Sequence, residues 1–305
     1  MKLKTYKSKK ILITGINGFI GSNCAKYFAK KNHEIFGIDI FGEDSSKFVK
    51  GEVNLENILS LNQNFDLIIH LAGSATVRLA QKSPELEYLK TVGSTEHILE
   101  YIRLYNKNAK LIYSSSAAVY GDLYDVEIKE ENKLNPISTY GKHKVEVEKM
   151  CELYNKNFGL DINIIRFFSI YGEGLTKQLL WDFTNRVIQN IEENSLPCFG
   201  IGEEKRDFVH IQDALQLIEI LSNADKGFKI LNCGTGEVKT VLDILKLICA
   251  ELNFKGELVF DKIVKECDPK SLISNIDKAV AIGFCPKVKV EDGIKRYVQW
   301  FKQNN

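Results

Sequence analysis

Two side chains in the stretch Tyr140-Gly141-Lys142-His143-Lys144 have the types and spacing to do chemistry. Tyr140 and Lys144 are four residues apart, so on a helix they share one face. A tyrosine ordinarily loses its proton at about pH 10, too high for a base in a cell. A lysine ammonium beside it favours the phenolate, and a nicotinamide cation bound nearby acts in the same direction. Tyr140 then becomes a group able to take or return a proton at neutral pH. Upstream, the run Ser114-Ser115-Ser116 offers a hydroxyl, that of Ser116, for the same oxygen atom. This set of groups suits redox chemistry on an alcohol or a ketone. Y-x-x-x-K also occurs on amphipathic helices where the lysine is a solvated stem and the tyrosine packs, so a second, independent signal is needed.

That signal lies near the N-terminus. The apolar run Lys10-Ile11-Leu12-Ile13-Thr14 is followed at once by Gly15-Ile16-Asn17-Gly18-Phe19-Ile20-Gly21 and then by a helical pattern. Strand, glycine turn and helix form the context of a dinucleotide fingerprint. Gly15 permits the tight turn, Gly18 lets backbone approach a pyrophosphate, and Gly21 allows the helix to pack closely on the strand. The helix N-terminus presents amide donors to phosphate. The spacing is G-x-x-G-x-x-G, and it is supported by Glu34-Ile35-Phe36-Gly37-Ile38-Asp39, which reads as a second strand ending in a carboxylate. Asp39 stands where an acid holds the adenosine ribose hydroxyls. Ile40-Phe41-Gly42 follow, with no arginine to accept a 2′-phosphate, so NAD is favoured over NADP.

These motifs need a sheet to carry them. Residues 65–70, 109–113 and 161–166 read as buried parallel strands, with helical patterns near 84–106 and 138–158. The alternation predicts an α/β fold, a Rossmann-type doubly wound parallel sheet with a smaller α/β substrate-binding lobe. Residues 1–169 are expected to form the NAD-binding domain with the catalytic residues. Residues 170–305 are expected to form mainly the substrate lobe, with some segments returning to the first. Ligands of such folds bind beyond the carboxyl ends of the strands, so Gly15–Gly21 and Ser114–Ser116 are expected to converge on one cleft.

Composition narrows the remaining classes. The chain has 305 residues, 44% of them hydrophobic and 27% charged, enough for one large domain or two modest ones. A formal net charge of +1 gives no electrostatic case for a nucleic-acid partner. The basic start, Lys2 through Lys10, lacks the apolar run of a signal peptide and reads as a frayed, solvated terminus. No stretch approaches the roughly 18 unbroken apolar residues of a membrane span. The seven cysteines are scattered without a C-x-x-C pair, as expected of reduced thiols in a cytoplasmic protein, and there is no metal-ligand pattern.

Several blocks in order resemble the extended short-chain dehydrogenases/reductases of the NAD-dependent epimerase/dehydratase family, of which UDP-glucose 4-epimerase is a well-known member. They are Gly15–Gly21, His70-Leu71-Ala72-Gly73, Ser114 through Gly121, Tyr140–Lys144, Arg166 through Gly172, Arg206 through Asp213, and Gly283 through Val288. The resemblance implies Ser116, Tyr140 and Lys144 as catalytic residues. It implies a cofactor site of Gly15, Gly18, Phe19, Ile20, Gly21, Asp39, Ile40, Glu52, Val53, Leu71, Ala72, Gly73, Ser114, Tyr140, Lys144 and Phe167. For a nucleoside-diphosphate sugar it implies Ser116, Ser169, Arg206, Lys265 and Asp268, with the Arg206 guanidinium on the diphosphate. The alternative for Arg206 is a bond to neighbouring Asp207. Tyr113 and Tyr120 read as core or wall residues. The resemblance also implies a homodimer formed through the helices near 84–106 and 138–158. Thr91 and Ser169 stand where the family commonly has asparagine, Gly73 replaces an alanine, Glu52 an aspartate and Lys265 an arginine. The substrate-side changes leave the sugar open.

Members of this family begin or end with hydride transfer at a sugar carbon, usually C4. Ser116-Ala117-Ala118 stands where 4,6-dehydratases commonly carry Thr-Asp-Glu, and alanine can neither donate nor accept a proton. The expectation is an NAD-dependent nucleotide-sugar epimerase working through a 4-keto intermediate, in making sugars for surface polysaccharide. The alternative is an NAD(P)H-dependent reductase of nucleotide-4-keto-6-deoxysugars. A 4,6-dehydratase and a non-catalytic NAD-binding protein rank lower.

Overall fold

Apolar runs that alternate with amphipathic stretches become strands and helices in turn. A computed structural model of the chain describes residues 8–73, 77–123, 126–263 and 269–305. Lys265 and Asp268, expected at the substrate, lie outside the described residues, as do residues 1–7 of the basic start.

The principal sheet has seven strands. Five belong to the first half of the chain: β1 (Lys10–Thr14), β2 (Glu34–Asp39), β3 (Phe48–Lys50), β4 (Leu67–His70) and β5 (Lys110–Ser116). The other two span Asp161–Phe167 and Phe228–Cys233. Their order across the sheet is β3, β2, β1, β4, β5, then Asp161–Phe167, then Phe228–Cys233. Pairings from β3 through β5 are parallel, with Ile11 opposite Ile35 on one side and Leu67 on the other. The order reverses between β1 and β4, the topological switch point of a doubly wound sheet. Strands with both faces covered are apolar throughout, and Ile11, Leu12, Ile13, Ile68 and Ile69 are wholly buried.

Helices on this sheet are α1 (Phe19–Ala29), α2 (Leu55–Ser60), α3 (Val77–Lys82), α4 (Pro84–Tyr88), α5 (Ser94–Tyr105) and α6 (Thr139–Phe158). The helix expected over 84–106 is interrupted: a π-helical turn, Leu89–Gly93, separates α4 from α5. Ser138 caps α6 by accepting the Gly141 N–H at 3.1 Å, and Gly159 closes it in a left-handed conformation. Leu12, Ile38, Ile68, Leu99, Ile102, Val147 and Ile162 meet in one hydrophobic core.

The chain divides into two compact units. One comprises the residues up to Ser116 with Ser138–Ile165 and Ile218–Ile230, and the other Ala117–Ile137, Arg166–Leu217 and the residues from Leu231 on. The second unit contains a four-stranded sheet, in the order Lys239–Thr240, Lys205–Arg206, Ser271–Ser274, Glu127–Ile128. It also has two parallel two-stranded sheets, Ser169–Tyr171 with Phe208–His210 and Ser195–Cys198 with Glu257–Phe260. Among the described residues every cysteine is free, no helix is long and apolar enough to cross a membrane, and no group of side chains is placed to hold a metal ion.

Candidate active site

Four neighbouring strand ends of the first unit carry the motifs. The glycine loop follows β1, Asp39 ends β2, Leu71-Ala72-Gly73 follows β4, and Ser114–Ser116 ends β5. Because β1, β2, β4 and β5 run parallel, these segments lie along one edge of the sheet.

The glycine loop has no room for side chains at its tightest points. Gly15 has φ +67, and a Cβ on Gly21 would stand 2.1 Å from the Gly15 carbonyl oxygen. Gly18 donates to that same oxygen at 3.0 Å and begins α1, whose N-terminus has no side-chain cap. Backbone amides are therefore presented where a helix N-terminus favours an anion. Asp39, nearly buried, accepts the Asn17 N–H at 2.9 Å through one oxygen and the Phe41 N–H at 3.1 Å through the other. Its carboxylate is thereby fixed beside the loop, and Ile40 next to it is exposed.

A second device ties β1 to β4. The Thr14 hydroxyl contacts His70 Nδ1 at 2.6 Å and accepts the Leu71 and Ala72 N–H groups at 3.2 Å each. His70 Nε2 meets the Thr95 hydroxyl at 3.0 Å. Burial, with a smaller contribution from the Lys144 charge, pushes the His70 imidazole down to about 3, so it is neutral at physiological pH. Thr14, His70 and Thr95 escaped the sequence reading as site residues. Their signal was a threonine and a histidine at the last positions of adjacent parallel strands.

The structure brings the Ser116, Tyr140 and Lys144 side chains together. Tyr140 lies in the first turn of α6, and the Ser116 hydroxyl hydrogen-bonds its phenol. Lys144 Nζ donates to the Ser114 carbonyl at 2.7 Å and stands 5.7 Å from the centre of the Tyr140 ring and 4.7 Å from that of Tyr113. The electrostatics differ from the expectation that Lys144 draws the tyrosine down. Burial pushes Tyr140 up to about 12, opposed by the Ser116 hydrogen bond and reinforced by the charge of Glu87. Burial pushes Lys144 down to about 8, against the attraction of Glu87 and Glu148. Desolvation disfavours whichever form is charged, so the two groups move in opposite directions. Two carboxylates of the first unit that the sequence reading passed over are thus part of this site. Glu148 accepts the Ser115 hydroxyl, and Glu87, wholly buried, is bound to His143 and Thr91.

Other expected cofactor residues hold varied positions. Phe19, Ile20, Leu71 and Ala72 are half-buried, Gly73 is exposed and Val53 belongs to the core. Glu52 is exposed and pairs with Lys90 at 3.7 Å. Phe167, Ser169 and Arg206 fall in the second unit, where the Ser169 N–H donates to the Asp207 carbonyl at 2.9 Å and Arg206 Nη1 to the Lys205 carbonyl at 2.9 Å. The Asp207 carboxylate is filled by donors from Thr235, Gly236 and Ser274. In the same unit Tyr120 is a buried structural residue: its hydroxyl donates to Asn232 at 2.7 Å and accepts from Arg166 at 2.8 Å.

A glycine-lined helix start at the switch point, an anchored carboxylate at the end of the next strand and a tyrosine–lysine pair along the same sheet edge suit a dinucleotide cofactor and define a Rossmann-type enzyme. The model of the NAD dependent epimerase/dehydratase family matches residues 11–234, and the chain belongs to that family. It is 30% identical over 306 residues to a putative UDP-glucose 4-epimerase of Methanocaldococcus jannaschii, covering 97% of this chain and 99% of that one. Among solved structures it is similar to the UDP-glucose 4-epimerase of Thermotoga maritima with UDP-glucose, with a TM-score of 0.87 and 26% identity over 96% of this chain and 99% of that one. It is also similar to the UDP-glucuronic acid 4-epimerase of Bacillus cereus in complex with UDP-glucuronic acid and NAD. There the TM-score is 0.85, with 26% identity over 96% of this chain and 99% of the other.

Proposed function

We propose that this protein is an NAD-dependent nucleotide-sugar epimerase acting at sugar C4, with a UDP-sugar as its substrate. The observation that carries this reading is the hydrogen bond between Ser116 and Tyr140 beside Lys144, at the sheet edge that also holds Asp39 and the glycine loop. The named activities and bound sugars of the relatives point the same way. Gly15, Gly18, Gly21 and Asp39 would hold NAD, with the α1 amides on its pyrophosphate and the Asp39 carboxylate on a ribose. NAD, when bound, supplies the oxidation and reduction of the sugar carbon and places a cationic ring near Tyr140. Tyr140 takes the proton of the C4 hydroxyl as the ketone forms and gives it back as the alcohol returns on the other face. Ser116 hydrogen-bonds the reacting oxygen and steadies its developing charge. Lys144, held by the Ser114 carbonyl, keeps positive charge behind the phenol and reaches the cofactor ribose. Ala117 and Ala118 have no proton to offer for elimination of water.

On the substrate side we assign Ser169, Arg206, Lys265 and Asp268 to the nucleotide sugar, residues 1–169 mainly to NAD and catalysis, and 170–305 mainly to the substrate. A cytoplasmic homodimer, in making sugars for surface polysaccharide, completes the proposal. Exposed Leu104 and Tyr105 on α5 and Leu153 and Phe158 on α6 support the dimer, and light scattering at a monomer mass would refute it.

The test is mass spectrometry of the protein incubated with UDP-, GDP-, dTDP- and CDP-sugars, including 4-keto-6-deoxy forms, with NADH absorbance followed alongside. A product that separates from its substrate by chromatography, at unchanged mass and without net NADH use, establishes the epimerase. A gain of two mass units with stoichiometric NADH loss establishes a ketoreductase instead.

A further inference from the structure

Behind the tyrosine–lysine pair lies a charge that the proposed reaction does not use. Glu87, the fourth residue of α4, has no exposed surface, and a carboxylate there must be paired and hydrogen-bonded to be tolerated. One oxygen accepts the Thr91 hydroxyl at 2.6 Å, and the other is bound to Nδ1 of His143. The imidazole is set edge-on to Tyr88, with ring centres 5.3 Å apart. His143 immediately precedes Lys144 and lies three residues after Tyr140, so the contact ties α4 and the π-helical turn to the first turns of α6.

We propose that Glu87, through His143, is a positioning residue for Tyr140 and Lys144: it fixes the start of α6 and places a buried negative charge behind the acid/base pair. The catalytic role of that pair rests on the function proposed above. The ionisable groups facing Glu87 are His143, Tyr140 and Lys144 on α6 and Tyr113 on β5. On its own segment Glu85 is exposed and Lys90 turns to Glu52, while α5 exposes Glu96 and His97. On α3, Lys82 is exposed. The Glu87 charge raises both Lys144 and Tyr140 against and with burial respectively. It therefore keeps Lys144 charged to higher pH, and it makes phenolate formation depend the more on Ser116 and on the cofactor's positive ring.

The experiment compares wild type, Glu87→Gln and Glu87→Asp, reading the Lys144 ammonium by NMR of carbon-13-labelled lysine, assigned by its loss in Lys144→Arg. The wild-type midpoint near pH 8 is expected to move down in Glu87→Gln and to stay in place in Glu87→Asp, which keeps the charge. In turnover, Glu87→Gln should lower kcat by roughly tenfold through looser placement, with the rising limb of the pH profile moved to lower pH. An unmoved Lys144 midpoint in folded Glu87→Gln overturns the proposal, whatever happens to kcat. Should Glu87→Gln not fold, nitrogen-15 signals of His143 in the wild type decide. An Nδ1 engaged with a carboxylate supports the pair, and an Nδ1 without a partner overturns it. Because the NMR readouts need no substrate, failure of every nucleotide sugar to react would sink the functional proposal and leave this one standing on its own result.

Discussion

Lys144 Nζ stands 5.7 Å from the centre of the Tyr140 ring, and burial drives the two groups apart in acidity, the lysine down to about 8 and the phenol up to about 12. The fold alone thus leaves Tyr140 protonated and Lys144 mostly charged at neutral pH. The chain's own group that works against the tyrosine's rise is Ser116, which hydrogen-bonds the phenol. In the proposed reaction Tyr140 would be poised as a base only with the positive ring of the cofactor beside it.

Ser116→Ala removes that opposing hydrogen bond. The rising limb of the kcat/KM profile is expected to move to higher pH, and turnover at pH 7.5 to fall by about a hundredfold. Tyr140→Phe removes the proton carrier itself and should cost on the order of 10²–10⁴ in kcat, with the far-ultraviolet circular dichroism spectrum unchanged. Near-wild-type turnover in Tyr140→Phe would refute the mechanism.

Lys144 is nearly buried, and its folded pKa near 8 lies below the ordinary 10.5. Between those values the unfolded chain binds the proton and the folded chain does not, so stability rises with pH across that window and the cost is fully present below about pH 8. At roughly 1.36 kcal/mol per pH unit the cost is about 3 kcal/mol. The wild-type urea midpoint should therefore rise between pH 8 and pH 10.5 more than that of Lys144→Met, which has no ammonium to lose there and should lose turnover at every pH. An equal rise in both proteins would contradict the assignment.

His70 behaves in the same sense at lower pH. Its folded value near 3 lies below the ordinary 6.5, so stability is intact above pH 6.5 and drains away as pH falls towards 3. At pH 4.5 the loss from this group is about 3 kcal/mol. Urea midpoints at pH 7 and 4.5 should separate less in His70→Asn than in wild type, and equal separation would exclude His70 as a source of acid sensitivity.

Gly21→Ala puts a methyl group 2.1 Å from the Gly15 carbonyl oxygen, a backbone atom that cannot turn aside. The loop must open, and NAD affinity measured by fluorescence or calorimetry is expected to fall at least tenfold, with thermal stability reduced as for other backbone clashes. Unchanged NAD binding would mean that the dinucleotide does not use this turn.

What could be read from the sequence alone was whatever is encoded by nearest neighbours along the chain. β1 and the glycine loop follow directly from an apolar run and the glycines at 15, 18 and 21, and Tyr140 and Lys144 share a helix face by their spacing of four. Parallel strands buried on both faces advertise themselves as continuous apolar runs, so the doubly wound sheet was legible as well. Tertiary structure alone decided the state of the charged groups. His143, which pairs with Glu87, is 56 residues away from it, as His70 is from Thr14, and no local pattern reports that a carboxylate has lost all contact with water. The same holds for the break in the helix over 84–106, where a π-helical turn accompanies the Thr91–Glu87 bond. Charge and hydrogen-bonding capacity belong to the residue and are written in the sequence. Desolvation belongs to everything packed around the residue, and at this site it sets the acidity of Tyr140, Lys144 and His70.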